Sequence, residues 1–534
     1  MRNALMVVTA LVLAGTVFCG FAYADDGQTG TNPSSGGGLV AGDADNAKAA
    51  QEQARAEAER KAKIARKAIS DGLYNMSLKS SAKLSLSVKG SSARAGAPVV
   101  ASGRDASNWA QKWAVSWDAD AGYYRIRNLN SRKCLGVSGA VKTGAVVKQV
   151  KLSNSARQFW EPVKASDGTV VFKLAGSQLA LTVKGSKSGA SFKLQNMKAG
   201  ASTARRFNLG KVRALETNKT YFVRNVATGK RLEVAGGSTK ANAKLGLAKA
   251  SSAKSQKFRV VKSGSSAFGL QNVGSCYYAG TNAAGKGAVR QLKSKNSKAK
   301  WKIKLDLKAA AFTIASGKSG RRIDGAKGKL QLKKGADSST QLFTFSRTYA
   351  YKLFLNPGHG ANSNGNGAWD PGAVGTGHEE AEFTHDLCRR VENLLADSDV
   401  KVVNGEKYRL AYWRRLPKAV SLGCDAIVSV HFDAGGGSGT LKMVGAHGRA
   451  RGSDALASFV QKGVVSKLGL PDRGRVTRGD ITCVNGSIPS MLVEVCFMDN
   501  AHDVHTYLRK KNAVAQGLAS GIIKASRSRS VVVR

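Results

Sequence analysis

The sequence predicts a multidomain protein in which a repeated all-β region precedes an α/β domain of three layers with a mostly parallel sheet. Its 534 residues exceed what one hydrophobic core usually organises. Short strand patterns recur between residues 72 and 348, and apolar runs alternate with helical patterns from residue 349 onward. The first pattern is typical of repeated β units, and the second is typical of strands covered by helices.

The first 24 residues predict a signal peptide. Arg2 precedes an apolar run over residues 4–21, and Ala22-Tyr23-Ala24 has the small-residue pattern of a cleavage site. An uncleaved membrane anchor is the alternative, which the small residues after the run disfavour. No later segment is long and apolar enough to span a membrane, so we expect a secreted protein with no transmembrane segment in the mature chain.

Residues 25–71 predict a linker followed by a charged helical spacer. The stretch 25–42 is rich in Gly, Ser and Asp, which is typical of flexible linkers. The stretch 43–70 is rich in Ala, Glu, Lys, Arg and Gln, all strong helix formers. Because its apolar residues are nearly all Ala, a solvated helix is favoured over a coiled coil.

The net charge of the chain is +49, and most of it lies before residue 351. Residues 1–350 hold 60 Lys+Arg and 18 Asp+Glu, a net charge of +42, whereas residues 351–534 hold 24 and 17, a net charge of +7. A secreted polycation implies an anionic partner. We expect anionic cell-wall polymers in that role. Nucleic-acid binding would rest on charge alone, and no recognition motif for nucleic acid is present, so we expect no specific nucleic-acid partner.

The six cysteines beyond residue 24 contain no Cys-x-x-Cys pair, which argues against a cysteine-based zinc site. Disulfides are permitted in a secreted protein, and the spacing leaves their pairing open. Cys424 and Cys496 lie in or beside apolar strand patterns, so we expect both to be buried core residues.

Six units of similar length make up residues 72–348. Each unit opens with a short strand pattern and closes with an aromatic residue, often after Gln. The closing aromatics are 42 to 51 residues apart, a period typical of repeat architectures. They are Trp113, Trp160, Phe207, Phe258, Trp301 and Phe343. Alternation of apolar residues with Lys, Ser and Thr predicts short antiparallel strands.

These Gln-x-Trp/Phe units resemble the ricin-type β-trefoil lectin family, in which three units form one trefoil. The resemblance implies two tandem all-β trefoils, residues 72–212 and 213–348, with the closing aromatics in their cores. Sugar sites of that family usually include an Asp directly after a Cys-Leu pair. In this chain the second unit has Gly136 at that position, the fourth unit has the acid Glu233, and only the sixth unit has an Asp, Asp324. We therefore expect Lys and Arg to hold an anionic polymer, with a merely solvated basic surface as the alternative.

We expect residues 349–525 to form the α/β domain and residues 526–534 to form a disordered basic tail. The strand patterns are Tyr351–Leu355, Asp425–Phe432 and Met491–Phe497, and the helical patterns are Glu380–Ala396, Ser453–Leu468 with Ser453 as N-cap, and His502–Ala525. Continuous apolar strands separated by helices indicate a largely parallel sheet covered on both faces. In such sheets, ligands bind beyond the carboxyl ends of the strands.

Three polar residues lie at the ends of these strands or within them. His359 follows the first strand in a Gly-rich loop, His431 lies near the end of the second, and Glu494 lies within the third. A pair of acids, Glu379 and Glu380, stands at the start of the first helix. A buried histidine needs a partner, which a metal ion can supply. Two His and one carboxylate are a ligand set of catalytic zinc, and a second carboxylate can act as general base.

The order of these motifs resembles that of the zinc-dependent N-acetylmuramoyl-L-alanine amidases of bacterial cell-wall hydrolysis, of the amidase family 3 type. The matching segments are 356–360 (NPGHG), 370–373 (DPGA), the helix start at Glu380, Arg415, 429–433 (SVHFD), 472–474 (DRG) and 492–500 (LVEVCFMDN). The resemblance implies that His359, Glu380 and His431 bind zinc and that Glu494 is the catalytic carboxylate. It also implies hydrolysis of the amide between N-acetylmuramic acid and L-alanine in peptidoglycan.

Glu380 is preferred to Glu379 because its spacing to Phe383 fits the helix of that family. Two positions depart from the family pattern, Asn356 for Asp and Cys496 for Gly, and neither removes a ligand. The remaining histidines match no ligand position, and we expect them on the surface or in local hydrogen bonds. They are His378, His385, His447, His502 and His505.

The resulting prediction is a secreted, cell-wall-associated hydrolase held on the wall by two basic trefoils. The alternative is a surface adhesin or lectin-like binding protein whose hydrolase domain is inactive. The presence of all four key residues argues against that alternative.

Overall fold

The computed structural model describes residues 48–56, 59, 68–183, 185, 187–197, 202–281, 284–285 and 287–533. The predicted signal peptide (1–24) and the predicted flexible linker (25–42) lie outside these residues. Residues 48–56 are helical and exposed, and they belong to a unit separate from the one that starts at residue 59. Each helix in the described ranges is too short or too polar to cross a membrane.

The first β domain consists of twelve strands joined by antiparallel pairing. They are β1 Gly72–Leu78, β2 Leu84–Val88, β3 Val99–Gly103, β4 Trp113–Asp118, β5 Tyr123–Asn128, β6 Cys134–Val137, β7 Val147–Val150, β8 Phe159–Lys164, β9 Val170–Leu174, β10 Leu179–Val183, β11 Phe192–Asn196 and β12 Phe207–Lys211. The first strand, β1, pairs with both β4 and β12, so the two ends of the domain meet. The closing aromatics Trp113, Trp160 and Phe207 are fully buried in its core, as predicted.

The second β domain repeats this arrangement with another twelve strands. They are β13 Lys219–Asn225, β14 Arg231–Val234, β15 Leu245–Ala248, β16 Lys257–Lys262, β17 Phe268–Asn272, β18 Tyr278–Gly280, β19 Arg290–Leu292, β20 Trp301–Asp306, β21 Ala311–Ser316, β22 Arg322–Asp324, β23 Gln331–Lys333 and β24 Phe343–Thr348. Here β13 pairs with β16 and with β24. Phe258, Trp301 and Phe343 are buried in the core.

The Gln-x-Trp signature has a structural explanation. In the second unit, Gln158 donates to the Lys151 carbonyl at 2.6 Å, and the indole nitrogen of Trp160 donates to the Leu135 carbonyl at 2.9 Å. Equivalent bonds join Gln256 to Lys249, Gln341 to Lys334, Trp113 to Leu86 and Trp301 to Ala279. The same two side chains therefore hold a loop and a hairpin to the core in several units, which accounts for the recurring spacing.

The α/β domain is built on a six-stranded sheet. Its strands are β25 Tyr351–Pro357, β30 Val400–Asn404, β31 Ala426–Asp433, β32 Thr440–Gly445, β33 Asp472–Arg478 and β34 Ser490–Phe497, and four two-residue strands follow β25, namely β26 Gly360–Ala361, β27 Trp369–Asp370, β28 Val374–Gly375 and β29 His378–Glu379. The order across the sheet is β30-β25-β31-β34-β32-β33. Four of the five neighbouring pairs are parallel, and β32 runs antiparallel to β34. The edge strand β33 escaped prediction because it is mostly exposed and rich in Arg.

Helices cover both faces of this sheet. They are α1 Glu380–Leu395, α2 Tyr412–Ser421, α3 Ser453–Leu468, α4 Ala501–Ala525 and α5 Arg529–Val532. Leu353 and Val428 belong to the core shared with α1, α3 and α4, whereas Phe354 and Ile427 belong to a second core with Leu416 of α2. The domain therefore has three layers, with strand residues alternating between two cores.

The predicted N-cap of α3 is wrong by one residue. Ser453 is the first residue of the helix, and Gly452 precedes it with a left-handed backbone. The Ser453 hydroxyl instead accepts a hydrogen bond from the Ser490 amide at 3.1 Å.

The prediction of a disordered tail is also wrong for the described residues 526–533. Residues 529–532 form α5, in which Val531 and Val532 are buried against the α/β core. Arg529 donates to the Ser275 carbonyl at 2.6 Å and lies over the Tyr277 ring. The apolar valines, which follow the Ser-Arg repeats, decide the outcome because their burial removes apolar surface from water.

The six cysteines beyond residue 24 are free thiols. Cys424 and Cys496 are buried, which confirms the prediction made for them. Burial raises the pKa of Cys424 to about 11, so this thiol remains protonated at neutral pH.

A buried ionic cluster joins the second β domain to the α/β domain. Asp399, directly before β30, accepts hydrogen bonds from Arg259 at 3.1 Å and Arg347 at 2.9 Å. It also accepts from the amide of Thr220 at 3.0 Å and from its hydroxyl at 2.5 Å. The Asp399 side chain is 1% exposed. Val273 of the β domain belongs to the apolar core of the α/β domain, so the two domains share a continuous interior.

Candidate metal centre

The four predicted site residues come together at the carboxyl end of the parallel strands. Strands β31 and β34 pair in a register that sets His431 opposite Glu494. On the other side of β31, β25 leads into the loop that carries His359. Glu380 is the first residue of α1, which follows that loop. Segments far apart in sequence meet at this edge because parallel strands end there together.

The backbone of His359 lies in the left-handed region, with φ of 58°, which few non-glycine residues adopt. Buried Arg415 supports it by donating to the carbonyls of Pro357 at 2.7 Å and of His359 at 3.1 Å. Asn356 accepts from Arg415 at 3.4 Å and donates to the Ser429 hydroxyl at 2.9 Å. Asn356 therefore supports the His359 loop indirectly, through its hydrogen bond with Arg415.

Two glycines are required beside the donor residues. A Cβ atom at Gly358 would lie 2.5 Å from the His431 ring. A Cβ atom at Gly372 would lie 2.6 Å from both Glu380 and His359, and its φ of 69° is left-handed. The glycines of the NPGHG and DPGA segments thus leave the space that the ligand side chains occupy.

The donor atoms of His359, Glu380 and His431 all lie within 4.8 Å of one another. The His359 Nε2 atom is 3.1 Å from one Glu380 oxygen, and the His431 Nδ1 atom is 3.0 Å from the other. In a tetrahedral zinc site with bonds of about 2.0–2.2 Å, the donor atoms lie about 3.3 Å apart. Two imidazoles and a carboxylate at this separation fit zinc, and three protein ligands leave one position for water or substrate.

Neighbouring groups fix the orientation of these donors. Asp370 lies 2.8 Å from His359 Nδ1, which leaves Nε2 of that ring facing Glu380. The Glu380 oxygens accept hydrogen bonds from the amides of Ala373 at 2.9 Å and Phe432 at 3.0 Å. A carboxylate behind a histidine ligand holds its tautomer and raises its basicity.

The electrostatics keep Glu380 ionised. Burial opposes its charge, yet hydrogen bonds from His359 and His431 outweigh burial and lower the pKa of Glu380. Burial likewise opposes a charge on His359, but its hydrogen bonds to Glu380 and Asp370 raise the pKa of His359 overall. The cluster therefore combines an ionised carboxylate with two imidazole rings, a set of groups that can hold a cation.

Glu494 differs from Glu380 in its surroundings. It is 8% exposed, and its Oε2 atom has no hydrogen-bond partner among the described residues. Burial, with smaller contributions from the charges of Glu380 and Asp433, raises the pKa of Glu494 well above its usual range. A raised pKa favours the protonated form of this carboxyl group relative to an exposed glutamate.

Two cavities meet at His359 and Arg415. One has a volume of about 330 Å³ and includes Glu494 and Tyr412 in its lining. The other has a volume of about 550 Å³ and extends past Trp369. Tyr412 and Trp369 are about half exposed at the edges of these cavities. The donor cluster is therefore open to a large substrate on two sides.

The other candidate residues lie outside the donor cluster. Glu379 accepts a hydrogen bond from the Trp369 indole at 2.8 Å, and His385 lies half-buried with Nδ1 3.3 Å from Glu406. The remaining histidines are His378, which packs against Phe383, and the exposed His447, His502 and His505.

The sequence alone indicated no role for Asp370, and Arg415 was named only among the residues that match the amidase family pattern. Asp370 stands eleven residues after His359, and the antiparallel pairing of β26 with β27 brings it back to that histidine. The available signal was the acid at the start of the DPGA segment. Arg415 lies on α2, which the apolar pattern did not reveal, because Pro417 interrupts this short helix.

Comparison with known proteins identifies two families. The model described as N-acetylmuramoyl-L-alanine amidase matches residues 353–524. The model described as ricin-type beta-trefoil lectin domain-like matches residues 109–195 and 203–291.

Individual relatives match over the α/β domain. N-acetylmuramoyl-L-alanine amidase LytC of Bacillus subtilis (strain 168) is 31% identical over 180 residues, which cover 32% of this chain and 34% of LytC. N-acetylmuramoyl-L-alanine amidase CwlM of Bacillus licheniformis is 24% identical, over 33% of this chain and 68% of CwlM. The chain thus spans about a third of the length of LytC.

Among solved structures, the catalytic domain of CwlV, an N-acetylmuramoyl-L-alanine amidase from Bacillus (Paenibacillus) polymyxa var. colistinus, is 27% identical. The alignment covers 33% of this chain and 97% of the CwlV chain, with a TM-score of 0.29. The motifs around the donor cluster lie within the matched residues 353–524. Residues 353–524 of this chain thus match the family described as N-acetylmuramoyl-L-alanine amidase, and the segments before them match the family described as ricin-type beta-trefoil lectin domain-like.

Proposed function

We propose that this protein is a zinc-dependent amidase that hydrolyses the amide bond between N-acetylmuramic acid and L-alanine in peptidoglycan. One observation carries the proposal: the donor atoms of His359, Glu380 and His431 lie within 4.8 Å of one another, beside a buried carboxyl group, Glu494, on the adjacent strand. The match of residues 353–524 to the model described as N-acetylmuramoyl-L-alanine amidase suggests the substrate.

The residues of the site would have distinct roles in the reaction. His359, Glu380 and His431 would hold zinc, which when bound supplies Lewis-acid activation of water and of the scissile carbonyl. Asp370 holds the ring of His359, and the amides of Ala373 and Phe432 hold Glu380, so the donors are preorganised.

Glu494 would move the proton. Its unpartnered Oε2 takes a proton from the attacking water and returns it to the amine of the departing L-alanine. Its raised pKa, caused mainly by burial, stabilises the protonated state between these two transfers. The side chain stays in place because β31 and β34 are paired beside it.

The β domains would keep the enzyme on the wall. Residues 72–212 hold 23 Lys+Arg and 5 Asp+Glu, a net charge of +18, and residues 213–348 hold 29 and 5, a net charge of +24. Secretion and association with the cell wall, including its anionic polymers, form part of this proposal. A strongly positive surface raises the local concentration and the association rate of anionic partners.

The test uses Glu494→Gln in the full chain with purified peptidoglycan. We expect the variant to retain zinc, measured by elemental analysis, and to release no stem peptides with an L-alanine amino terminus, measured by mass spectrometry. The wild type should bind one zinc ion and release such peptides. Zinc-loaded wild type without release would favour the alternative, an adhesin or lectin-like protein with an inactive hydrolase domain, and full activity of the variant would refute the role of Glu494.

A further inference from the structure

One strand of the second β domain carries a row of lysines. Lys300, Lys302 and Lys304 are exposed at alternate positions, on β20 and the residue directly before it. Between them, Trp301 is buried and Ile303 is half-buried. Because successive side chains of a strand point to opposite faces, all three lysines extend from the same face. We call these three residues the lysine ladder.

The residues paired with the lysine ladder are small and uncharged, and Asp306, at the next alternate position of the strand, accepts a hydrogen bond from the Ala309 amide at 2.9 Å. The register of β20 with β21 sets Ala315 beside Lys302 and Thr313 beside Lys304. The ion pairs that the second β domain forms within the described residues use other lysines and arginines, such as Lys254 and Arg259. Like charges in a row repel one another, and a bound polyanion would relieve that repulsion.

The spacing of the three lysines indicates the distance between charges that a matching polyanion should have. Alternate residues of a strand lie about 7 Å apart along its axis. In a phosphodiester polymer with three-carbon polyol units, six single bonds separate neighbouring phosphorus atoms. Three backbone bonds of an extended chain span about 3.3–3.6 Å, so six such bonds span about 7 Å.

We propose that the lysine ladder binds a linear, flexible polyol-phosphate polymer, with one phosphate facing each lysine. This inference rests on the proposed function only for the place of the polymer, at the bacterial wall. Lysine suits the role because its ammonium group is a mobile point charge that does not demand bidentate geometry. Lys293 and Lys295, exposed in the turn before β20, would extend the same path.

Single-stranded nucleic acid has a similar charge pattern but a different requirement. Proteins that bind it stack its bases on exposed aromatic side chains. The residues that the register sets beside Lys302 and Lys304 are Ala315 and Thr313, and Trp301 points into the core. The surroundings therefore favour a polymer without bases.

The experiment compares two triple variants of the full chain. The first, K300Q/K302Q/K304Q, removes the lysine ladder. The matched control, K240Q/K249Q/K334Q, removes the same charge from exposed and scattered positions of the same domain. Labelled poly(glycerol phosphate) is titrated at several salt concentrations, with poly(dT) as a second probe, and thermal unfolding checks that both variants fold.

We expect the lysine-ladder variant to bind poly(glycerol phosphate) at least about tenfold more weakly, with the slope of log K against log salt reduced by about 2, since each charge on a flexible chain contributes about 0.7. The control should lose less than about threefold. Equal losses in the two variants would overturn the lysine ladder as a site. Tighter binding of poly(dT) that depends on the same lysines would replace the polyol phosphate with nucleic acid.

Catalysis is read separately from binding. Both triple variants should release stem peptides from solubilised peptidoglycan fragments at the wild-type rate, because the lysine ladder lies outside the donor cluster. Failure of wild type to release peptides would refute the amidase proposal, whereas the polymer titration would still decide the lysine ladder.

Discussion

At the scale of single residues, the two carboxyl groups of the site have different surroundings, which shift their pKa values in opposite directions. Glu380 receives two backbone amides and faces two imidazoles, which lower its pKa. Glu494 is buried without a partner for Oε2, which raises its pKa. Groups of one chemical type thus suit the two different roles that we propose, Glu380 as metal ligand and Glu494 as proton carrier.

We predict that Asp370→Asn weakens zinc binding about 10- to 100-fold, the usual effect of losing a partner behind a histidine ligand. Asp370 lies 2.8 Å from His359 Nδ1, and the change removes the negative charge that supports this ring. Competition with a chromogenic chelator measures the affinity. The control is Glu379→Gln, which removes the same charge from the neighbouring loop, where Glu379 meets the Trp369 indole. Zinc affinity should be close to wild type in the control, and equal losses in both variants would contradict the role of Asp370.

At the scale of elements, strand register brings the chemistry together. His431 and Glu494 are partners in parallel strands, and each lies in the carboxyl-terminal half of its strand. A shift of one residue would turn Glu494 to the opposite face of the sheet, because the side-chain period of a strand is two. Buried Val428 and Val493 specify the register by requiring the core on one face.

The repeated hydrogen bonds of the β domains lead to a prediction at this scale. Trp160→Phe should destabilise the first β domain by about 1–3 kcal/mol, because the buried Leu135 carbonyl loses its donor and the smaller ring leaves space. Trp113→Phe should have a similar effect through the Leu86 carbonyl. Calorimetric unfolding measures both. Unchanged stability in both variants would show that these bonds do not hold the hairpins.

At the scale of the whole molecule, the second β domain and the amidase domain form one folded body. Asp399 sits between Arg259 and Arg347, Val273 enters the amidase core, and Arg529 crosses to the β domain. The wall-binding surface that we propose on the second β domain would therefore be held at a constant orientation to the donor cluster.

We predict that Asp399→Asn destabilises the contact between these domains by about 3–5 kcal/mol, because it leaves buried guanidinium groups without their countercharge. Calorimetry should resolve a separate transition for the second β domain, and limited proteolysis should cut between the domains. The control is Asp397→Asn, an exposed residue of the same turn, which should leave unfolding unchanged. A wild-type unfolding profile for Asp399→Asn would contradict the coupling.

Much of the local structure could be predicted because it depends on near neighbours in sequence. The pattern of α3 predicted its observed bounds, Ser453–Leu468, and the closing aromatics lie in the cores as expected. Helix α2 and strands β30, β32 and β33 were missed; α2 contains Pro417, and β33 is largely exposed and charged. Their formation depends on the sheet beside them rather than on a local apolar pattern.

By itself, the sequence determined the repeat period, the basic charge of the β domains, and the identities of His359, Glu380, His431 and Glu494 as the candidate site, since motifs and periodicities lie within short segments. Only the tertiary structure decided that His431 lies opposite Glu494, that Asp370 stands behind His359, and that Asp399 joins two domains. These contacts connect segments through paired strands, a turn or a domain boundary. Their distances follow from how the sheet and its loops pack, which no local pattern records.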